Sequence, residues 1–325
     1  MENLREAHRK GRKGKNKYSE VRMVDSDIDY YLKPIQEQLI NKTFTTSEYV
    51  VQNRVEGGKE RVIHKLPYYP DRIVQWAIML QIEDVFIRTF IQDTYAAIPS
   101  RGMHLALNRL QKDMKNREET KYCLKADIKK YFPSINTEIL KQLMRRKFKD
   151  YELLWLLDDI IDSTNKQGVP IGNYTSQYFG NFYLAYFDHW IKENKKCKHY
   201  FRYMDDIVVL GSDKKELHDL RCDIESYLKE NLNLTLKENW QVFPTYVRGV
   251  DFVGYRSFGD YTLLRKSTSK KLKRKMRDLS KREFQETDIN SIMSYKGWLE
   301  HCNSYNLQQK YIEPLLRRWK NESTE

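Results

Sequence analysis

Past Ser26 the apolar residues fall at helical spacing: Ile28, Tyr31, Leu32, Ile35, Leu39 and Ile40 recur every three or four positions and predict a helix with one buried face. Residues 47–66 alternate instead. Tyr49-Val50-Val51 and Arg61-Val62-Ile63 flank Glu56-Gly57-Gly58-Lys59, which predicts a β-hairpin closed by a glycine turn. Pro70-Asp71 opens a helix reaching about Phe86, and another covers about Met103–Lys115. A short apolar strand, Tyr122–Ala126, runs into Asp127. After the break at Pro133-Ser134, Thr137–Phe148 and Leu153–Ile161 read as helices, Gly168-Val-Pro-Ile-Gly172 as a loop, and Thr175–Lys192 as one long aromatic helix. Two strands, Tyr200–Met204 and Ile207–Leu210, enclose a tight turn at Asp205-Asp206. Leu217–Glu230 is helical; Thr235–Leu236, Gln241–Phe243 and Phe252–Tyr255 are strand-like; from Arg265 the chain is helical again. There is no internal repeat. The pattern is α+β, with antiparallel strands and a helical tail.

Charge changes the picture at both ends. Lys and Arg number 58 against 45 Asp and Glu, a formal charge of +13. Such a surface suits a polyanion, because each neutralised phosphate releases counterions; charge alone fits a merely solvated surface equally well. Residues 1–17 carry seven basic side chains against Glu2 and Glu6. They predict a basic N-terminal arm, mobile until it meets an anion, or a tail without a role. Residues 265–282 hold ten Lys or Arg against Asp278 alone. This stretch can grip a nucleic-acid backbone, with Trp298, Tyr305 and Trp319 beyond it to stack; for these aromatics a place inside a helix bundle is the preferred reading. The four cysteines, Cys123, Cys197, Cys222 and Cys302, are scattered, which argues against a zinc site or disulfide framework. No apolar run approaches the roughly 18–20 residues a membrane span requires. The basic N-terminus is no signal peptide, so the expectation is a soluble cytoplasmic protein with no membrane contact.

The candidate chemistry lies in carboxylates. Tyr203-Met204-Asp205-Asp206 sits between two apolar strands. Adjacent carboxylates at a hairpin tip disfavour joint ionisation, and a divalent cation removes that penalty; an Asp-Asp turn in solvent needs no metal. Lys125-Ala126-Asp127 ends a strand in a lone carboxylate, and Phe132 follows five residues later. Antiparallel strands of one sheet can bring Asp127 to Asp205. Two hard Mg²⁺ ions would take such oxygen ligands and hold both the attacking and leaving oxygens of an in-line displacement. Gly168–Gly172, leading through Asn173-Tyr174-Thr175 to Ser176-Gln177, lets backbone approach a nucleotide, and is by itself an ordinary loop.

In this order, and with Gly249-Val-Asp-Phe-Val-Gly-Tyr255 as a fourth piece, the motifs resemble the palm of reverse transcriptases over nearly the whole chain. The resemblance implies a right-hand polymerase: fingers over 18–120 with the start of the palm, a palm over 121–264 carrying a fingers insertion at about 133–167, and a helical basic thumb over 265–325. It implies Asp127, Asp205 and Asp206 as catalytic residues holding two Mg²⁺ ions, which Mn²⁺ can replace, with the Ile128 carbonyl as a further ligand. Phe132 is implied as the gate against a ribose 2′-hydroxyl, with Arg61, Ile171, Gly172 and Lys237 also meeting the incoming dNTP. Tyr203, Met204, Ser176, Gln177 and the Phe252, Gly254 and Tyr255 grip are implied contacts of primer and template.

Within the family, glutamine usually precedes the glycine of the third motif and serine-proline follows it; here these positions are Ile171 and Ser176-Gln177. That pattern, with Asp71-Arg-Ile-Val-Gln75 and Ser294-Tyr-Lys-Gly-Trp-Leu-Glu-His-Cys-Asn-Ser304, resembles reverse transcriptases of diversity-generating retroelements. It implies mutagenic retrohoming: copying of a template RNA into cDNA with errors at adenines, alongside a small oligomeric accessory protein. Losing one amide hydrogen bond is worth about 1–3 kcal/mol, roughly 10–100-fold in discrimination, so isoleucine at 171 is enough to loosen fidelity. A bacterial, archaeal or phage-encoded source is implied. Alternatives are a defence or retron-type enzyme of ordinary fidelity and an inactive RNA-binding scaffold. About 70 residues follow Tyr255, which leaves room for a thumb but not for a ribonuclease H or endonuclease domain.

Overall fold

The computed structural model describes residues 1–56, 59–164, 168–285 and 287–322. The chain runs α1 (Glu2–Gly11), α2 (Ser19–Ser26), α3 (Ile28–Ile40), the hairpin β1 (Val50–Glu56) and β2 (Lys59–Lys65), α4 (Ile73–Thr89), α5 (Met103–Asp113) and β3 (Tyr122–Asp127). A single turn, α6 (Tyr131–Ser134), precedes α7 (Thr137–Lys147), α8 (Tyr151–Asp162), α9 (Tyr174–Tyr183) and α10 (Ala185–Glu193). Then come β4 (His199–Tyr203), β5 (Asp206–Gly211), α11 (Lys214–Leu232), β6 (Gln241–Pro244) and α12 (Thr245–Arg248). The strands β7 (Val250–Phe252), β8 (Tyr255–Ser257) and β9 (Thr262–Leu264) lead to α13 (Lys266–Ser280), α14 (Asp288–Leu299), α15 (Tyr305–Leu307) and α16 (Glu313–Glu322). Among the described residues no helix is long and apolar enough to cross a membrane.

Two compact units share these elements. The first comprises Met1–Ile98, Asp127–Lys196 and Cys222–Glu238. Its centre is α4, which buries Ile73, Val74, Ala77, Ile78, Met79, Ile82 and Phe86, apolar on nearly every side as a central helix must be. Phe86 meets Phe182 and Phe148 edge-on, at 5.1 and 5.5 Å. The N-terminus is not the mobile arm its charge suggests. Leu4, Ala7, His8 and Gly11 fall at helical spacing and are buried, and α1 packs on α4. His8 Nε2 lies 2.8 Å from Asp25, and Tyr68 OH lies 2.8 Å from His8 Nδ1. A Cβ on Gly11 would press on the Trp76 ring at 3.1 Å, so the close approach of α1 depends on glycine. The expected long aromatic helix breaks at Leu184, where φ is −98° and ψ is 0°. Tyr178, Phe179, Phe182, Tyr183, Phe187 and Ile191 are all buried, so no polar face marks the change of phase.

The second unit comprises Pro99–Ala126, Cys197–Arg221 and the chain from Asn239 onward. Its four-stranded sheet has the order β4-β5-β3-β6. β4 and β5 pair antiparallel with Tyr200 opposite Val209, and β3 and β6 with Leu124 opposite Val242. Cys123, Leu124, Tyr200, Phe201, Ile207, Val208 and Val209 are buried, giving near-continuous apolar strands. The meander β7-β8-β9 leads into a helical cluster in which Tyr255, Leu264, Leu272, Met276, Leu279, Ile292 and Leu299 pack together. α13 commits only Leu272, Met276 and Leu279 to that cluster, so Lys266, Lys270, Lys271, Arg274 and Arg277 are exposed. Of the tail aromatics expected inside, Trp298 packs against the cluster, but Tyr305 is 75% exposed.

Candidate active site

In the second unit the carboxylate turn is set by strand pairing. Tyr203 pairs with Asp206, so the two turn residues are Met204 and Asp205, one position earlier than the sequence suggests, and Asp206 opens β5. Met204 has φ +54°, a left-handed conformation that costs a side-chain-bearing residue free energy and is held here from below. Arg202, fully buried, donates from Nη1 to the Met204 carbonyl at 2.9 Å. Lys125 Nζ stands 3.5 Å from Asp206 Oδ2 and also donates to the Asp251 carbonyl, while the Asp251 carboxylate takes Arg265. Sequence reading passed over Arg202, Lys125 and Asp251. A signal existed for Lys125 alone: two positions before Asp127 on a strand, it shares that residue's face.

Phe252 and Tyr255, expected as nucleic-acid contacts, are fully buried. Tyr255 stacks on Trp298 at 5.4 Å and donates its hydroxyl to the Trp298 carbonyl at 2.9 Å. Gly254, with φ +90°, is pressed on the Trp298 ring where a Cβ would collide. In this hairpin, with Phe252 opposite Tyr255, the Val253-Gly254 turn is partly exposed, as are Asp251 and Arg256. That corrects the expected contacts: the two aromatic side chains serve the core.

In the first unit, Asp127 ends β3 and meets Lys237, whose Nζ lies 2.6 Å from Oδ1. Backbone fixes the pair. Lys237 N–H donates to the Asp127 carbonyl at 2.8 Å, and Lys129 N–H to the Thr235 carbonyl at 2.9 Å, around an Ile128–Leu236 bridge. In that pattern the Ile128 N–H and carbonyl point away from the 235–237 segment. Both side chains are partly open, Asp127 33% and Lys237 29% exposed.

The same unit gathers Phe132, Ile171 and Gly172. Val169 N–H donates to the Phe132 carbonyl at 3.0 Å, and His64 N–H on β2 donates to the Ile171 carbonyl at 2.9 Å. Both ends of this loop require glycine. On Gly168 (φ +70°) a Cβ would stand 2.5 Å from the Phe132 carbonyl oxygen; on Gly172 (φ +136°) it would collide with the His64 carbonyl. Phe132 is half-buried with its ring beside Gly180, 3.1 Å from where a Cβ would sit. Ser176 is buried in the first turn of α9 and Gln177 is exposed. Arg61 lies on β2 opposite Arg54, but its side chain is outside the described residues.

Among the described residues, no three His, Cys, Asp or Glu side chains converge as a ready metal site. The donors nonetheless have the right chemistry: Asp127 and Asp206 offer partly exposed carboxylate oxygens, the hard ligands Mg²⁺ takes, each beside an ammonium that supplies positive charge.

The chain belongs to the reverse transcriptase (RNA-dependent DNA polymerase) family, whose model matches residues 53–257. Members of this family use divalent metal ions. Among curated relatives, protein YkfC of Escherichia coli K12 is 24% identical over 243 residues, covering 62% of this chain and 64% of YkfC. The group II intron-encoded protein LtrA of Lactococcus lactis subsp. cremoris is 21% identical over 178 residues, 52% of this chain and 27% of LtrA. The chain thus spans less than two thirds of either relative. Solved structures of similar fold include a C-terminally truncated apo telomerase from Candida tropicalis, with TM-score 0.52 at 13% identity over 67% of this chain and 55% of that one. Telomerase from Candida albicans with a fragment of telomeric RNA gives TM-score 0.52 at 12% identity, over 77% and 55%. The fold is that of right-hand polymerases.

Proposed function

We propose that this chain is an RNA-directed DNA polymerase that extends a DNA primer on template RNA with dNTPs, using Asp127, Asp205 and Asp206. The observation that carries the reading is the sheet order: β3, which ends in Asp127, is the neighbour of β5, whose hairpin turn bears Asp205 and Asp206. Two Mg²⁺ ions held by these carboxylates and the Ile128 carbonyl would stabilise the attacking 3′-hydroxyl and leaving pyrophosphate oxygens, and Mn²⁺ would substitute. Arg202 keeps Asp205 at the tip by holding the turn, and Lys237 offers positive charge to a triphosphate. Phe132 screens the sugar beside the loop that carries Ile171 and Gly172. The subdomain reading is fingers over 18–120, palm over 121–264 and thumb over 265–325.

The finer reading is a diversity-generating retroelement enzyme, error-prone at template adenines and served by an oligomeric accessory protein. Its support is Ile171: the carbonyl is taken by His64, and the side chain has no group that can hydrogen-bond a nucleotide. A second reading is a bacterial defence or retron-type reverse transcriptase of ordinary fidelity. Mg²⁺-dependent extension of oligo(dT) on poly(A) tests the activity: wild type extends, and Asp205→Asn falls roughly a thousandfold or more. No extension by wild type would refute the activity, and extension by both proteins alike would remove Asp205 from it. Sequenced cDNA from a four-base RNA separates the finer readings: errors concentrated opposite adenine favour the retroelement, a low uniform rate the alternative.

A further inference from the structure

Tyr49, the residue before β1, touches three other elements of the first unit. Its ring meets that of His64 on β2 edge-on at 5.6 Å. Its hydroxyl lies 2.7 Å from the Oγ of Ser163, just past α8, and accepts from Asn173 Nδ2 at 2.7 Å. Asn173 is buried, directly after Gly172 and directly before α9. Ser163 donates its single hydroxyl hydrogen to the Ile160 carbonyl at 2.6 Å, so the hydrogen between the two hydroxyls belongs to Tyr49. With that hydrogen committed, the Tyr49 oxygen can only accept from Asn173, which fixes the orientation of the Asn173 amide. A one-way chain of hydrogen bonds therefore runs from Asn173 through Tyr49 and Ser163 to Ile160. Burial raises the Tyr49 pKa, so the hydroxyl keeps the hydrogen that this chain needs. The Asp71–Gln75 motif holds the same two segments. Buried Asp71 accepts the Ser47 N–H at 2.9 Å, and buried Gln75 accepts the Tyr174 N–H on Oε1 at 2.9 Å. Asp159 on α8 adds a bond from the Thr46 N–H at 2.9 Å. Residues 46–49, which enter the hairpin, are thus pinned by α8 and by the start of α4. The Asn173–Tyr49 bond joins them directly to the loop that carries Ile171 and Gly172.

We propose that Tyr49 is a positioning residue for the incoming dNTP: its hydroxyl, through Asn173, sets the Ile171-Gly172 backbone against which the nucleotide lies. This role rests on the reading of the loop as part of the nucleotide site. Tyr49 meets no reacting atom; it acts through Asn173. The loop is held from its other side by His64, whose N–H takes the Ile171 carbonyl and whose ring packs on Tyr49. Removing the hydroxyl alone leaves that second hold in place. The loop then keeps its fold but loses its fixed distance from the hairpin root, and a small misplacement at a binding site is felt in binding.

The test is extension of oligo(dT) on poly(A) by the full chain at varied dTTP, with thermal melts and hydrogen exchange on the same proteins. Tyr49→Phe keeps the ring on His64 and removes the hydroxyl. It should raise the KM for dTTP by about fivefold, the effect of one neutral hydrogen bond, while kcat stays within about twofold. Asn173→Ala removes the donor and should do the same. Because both changes break one chain, Tyr49→Phe/Asn173→Ala should raise KM no further than the larger single change. Exchange at the His64 and Tyr174 amides should quicken in all three variants. A purely structural role would lower the melting temperature, and kcat through the folded fraction, with KM unmoved. That result would overturn the proposal, as would KM effects that multiply in the double variant. If wild type extends no primer, the polymerase reading fails. Exchange then decides the tie by itself, and rates in Tyr49→Phe equal to wild type would sink it.

Discussion

Asp127 and Asp206 each face a lysine, and the two pairs are built differently. Lys237 ends on the Asp127 carboxylate at 2.6 Å, carried by a segment whose backbone is bonded to Asp127 itself. Lys125 is anchored on the Asp251 carbonyl and reaches Asp206 only at 3.5 Å. The first is a partner and the second a brace. Screened by solvent, neither pair adds more than about 1 kcal/mol to stability, so their value lies in where they put charge. A lysine that ends on a carboxylate can be exchanged for an incoming cation or turned to a triphosphate; one anchored elsewhere stays.

The largest effect expected from this contrast is at Lys237. Lys237→Met should lower primer extension by about a hundredfold while leaving the melting temperature nearly unchanged, as loss of a charge placed for the transition state does. A change under threefold would remove the distinction between partner and brace. Gly172→Ala acts on the Asp127 side without touching the pair. Its strained φ and the His64 carbonyl should cost about 2–3 kcal/mol in urea unfolding. Lys125→Met should lower extension by about tenfold through a loosened Asp206, and an effect equal to that at Lys237 would make both lysines partners. The smallest effect is on fidelity. Ile171→Gln should reduce errors opposite adenine severalfold, read by cDNA sequencing, and an unaltered spectrum would take Ile171 out of the explanation.

Much of the frame is legible in the residues. The β1–β2 hairpin follows from alternation, β4–β5 from two apolar runs on either side of a tight turn, and β3 from an apolar run that stops at Asp127. What escaped did so for physical reasons. The α1 stripe contains one strong apolar residue, Leu4, with Ala7, His8 and Gly11, so charge drowned its periodicity. Arg202 and Lys125 serve backbone carbonyls, of Met204 and Asp251, and a carbonyl has no signature in residue type. The Phe252–Tyr255 motif was visible as a motif, but not that its aromatics face inward, because that depends on Trp298 more than forty residues later.

The loop from Gly168 to Gly172 works as a spacer of fixed length. Three residues, Val169, Pro170 and Ile171, separate two glycines, one pressed on the Phe132 carbonyl and the other on that of His64. Surface loops usually tolerate a residue gained or dropped, but this one has no slack to absorb either. An insertion or deletion here would have to release β2 or the Phe132 turn. A substitution at 171 therefore leaves this spacing intact, whereas a change in the count between the glycines does not.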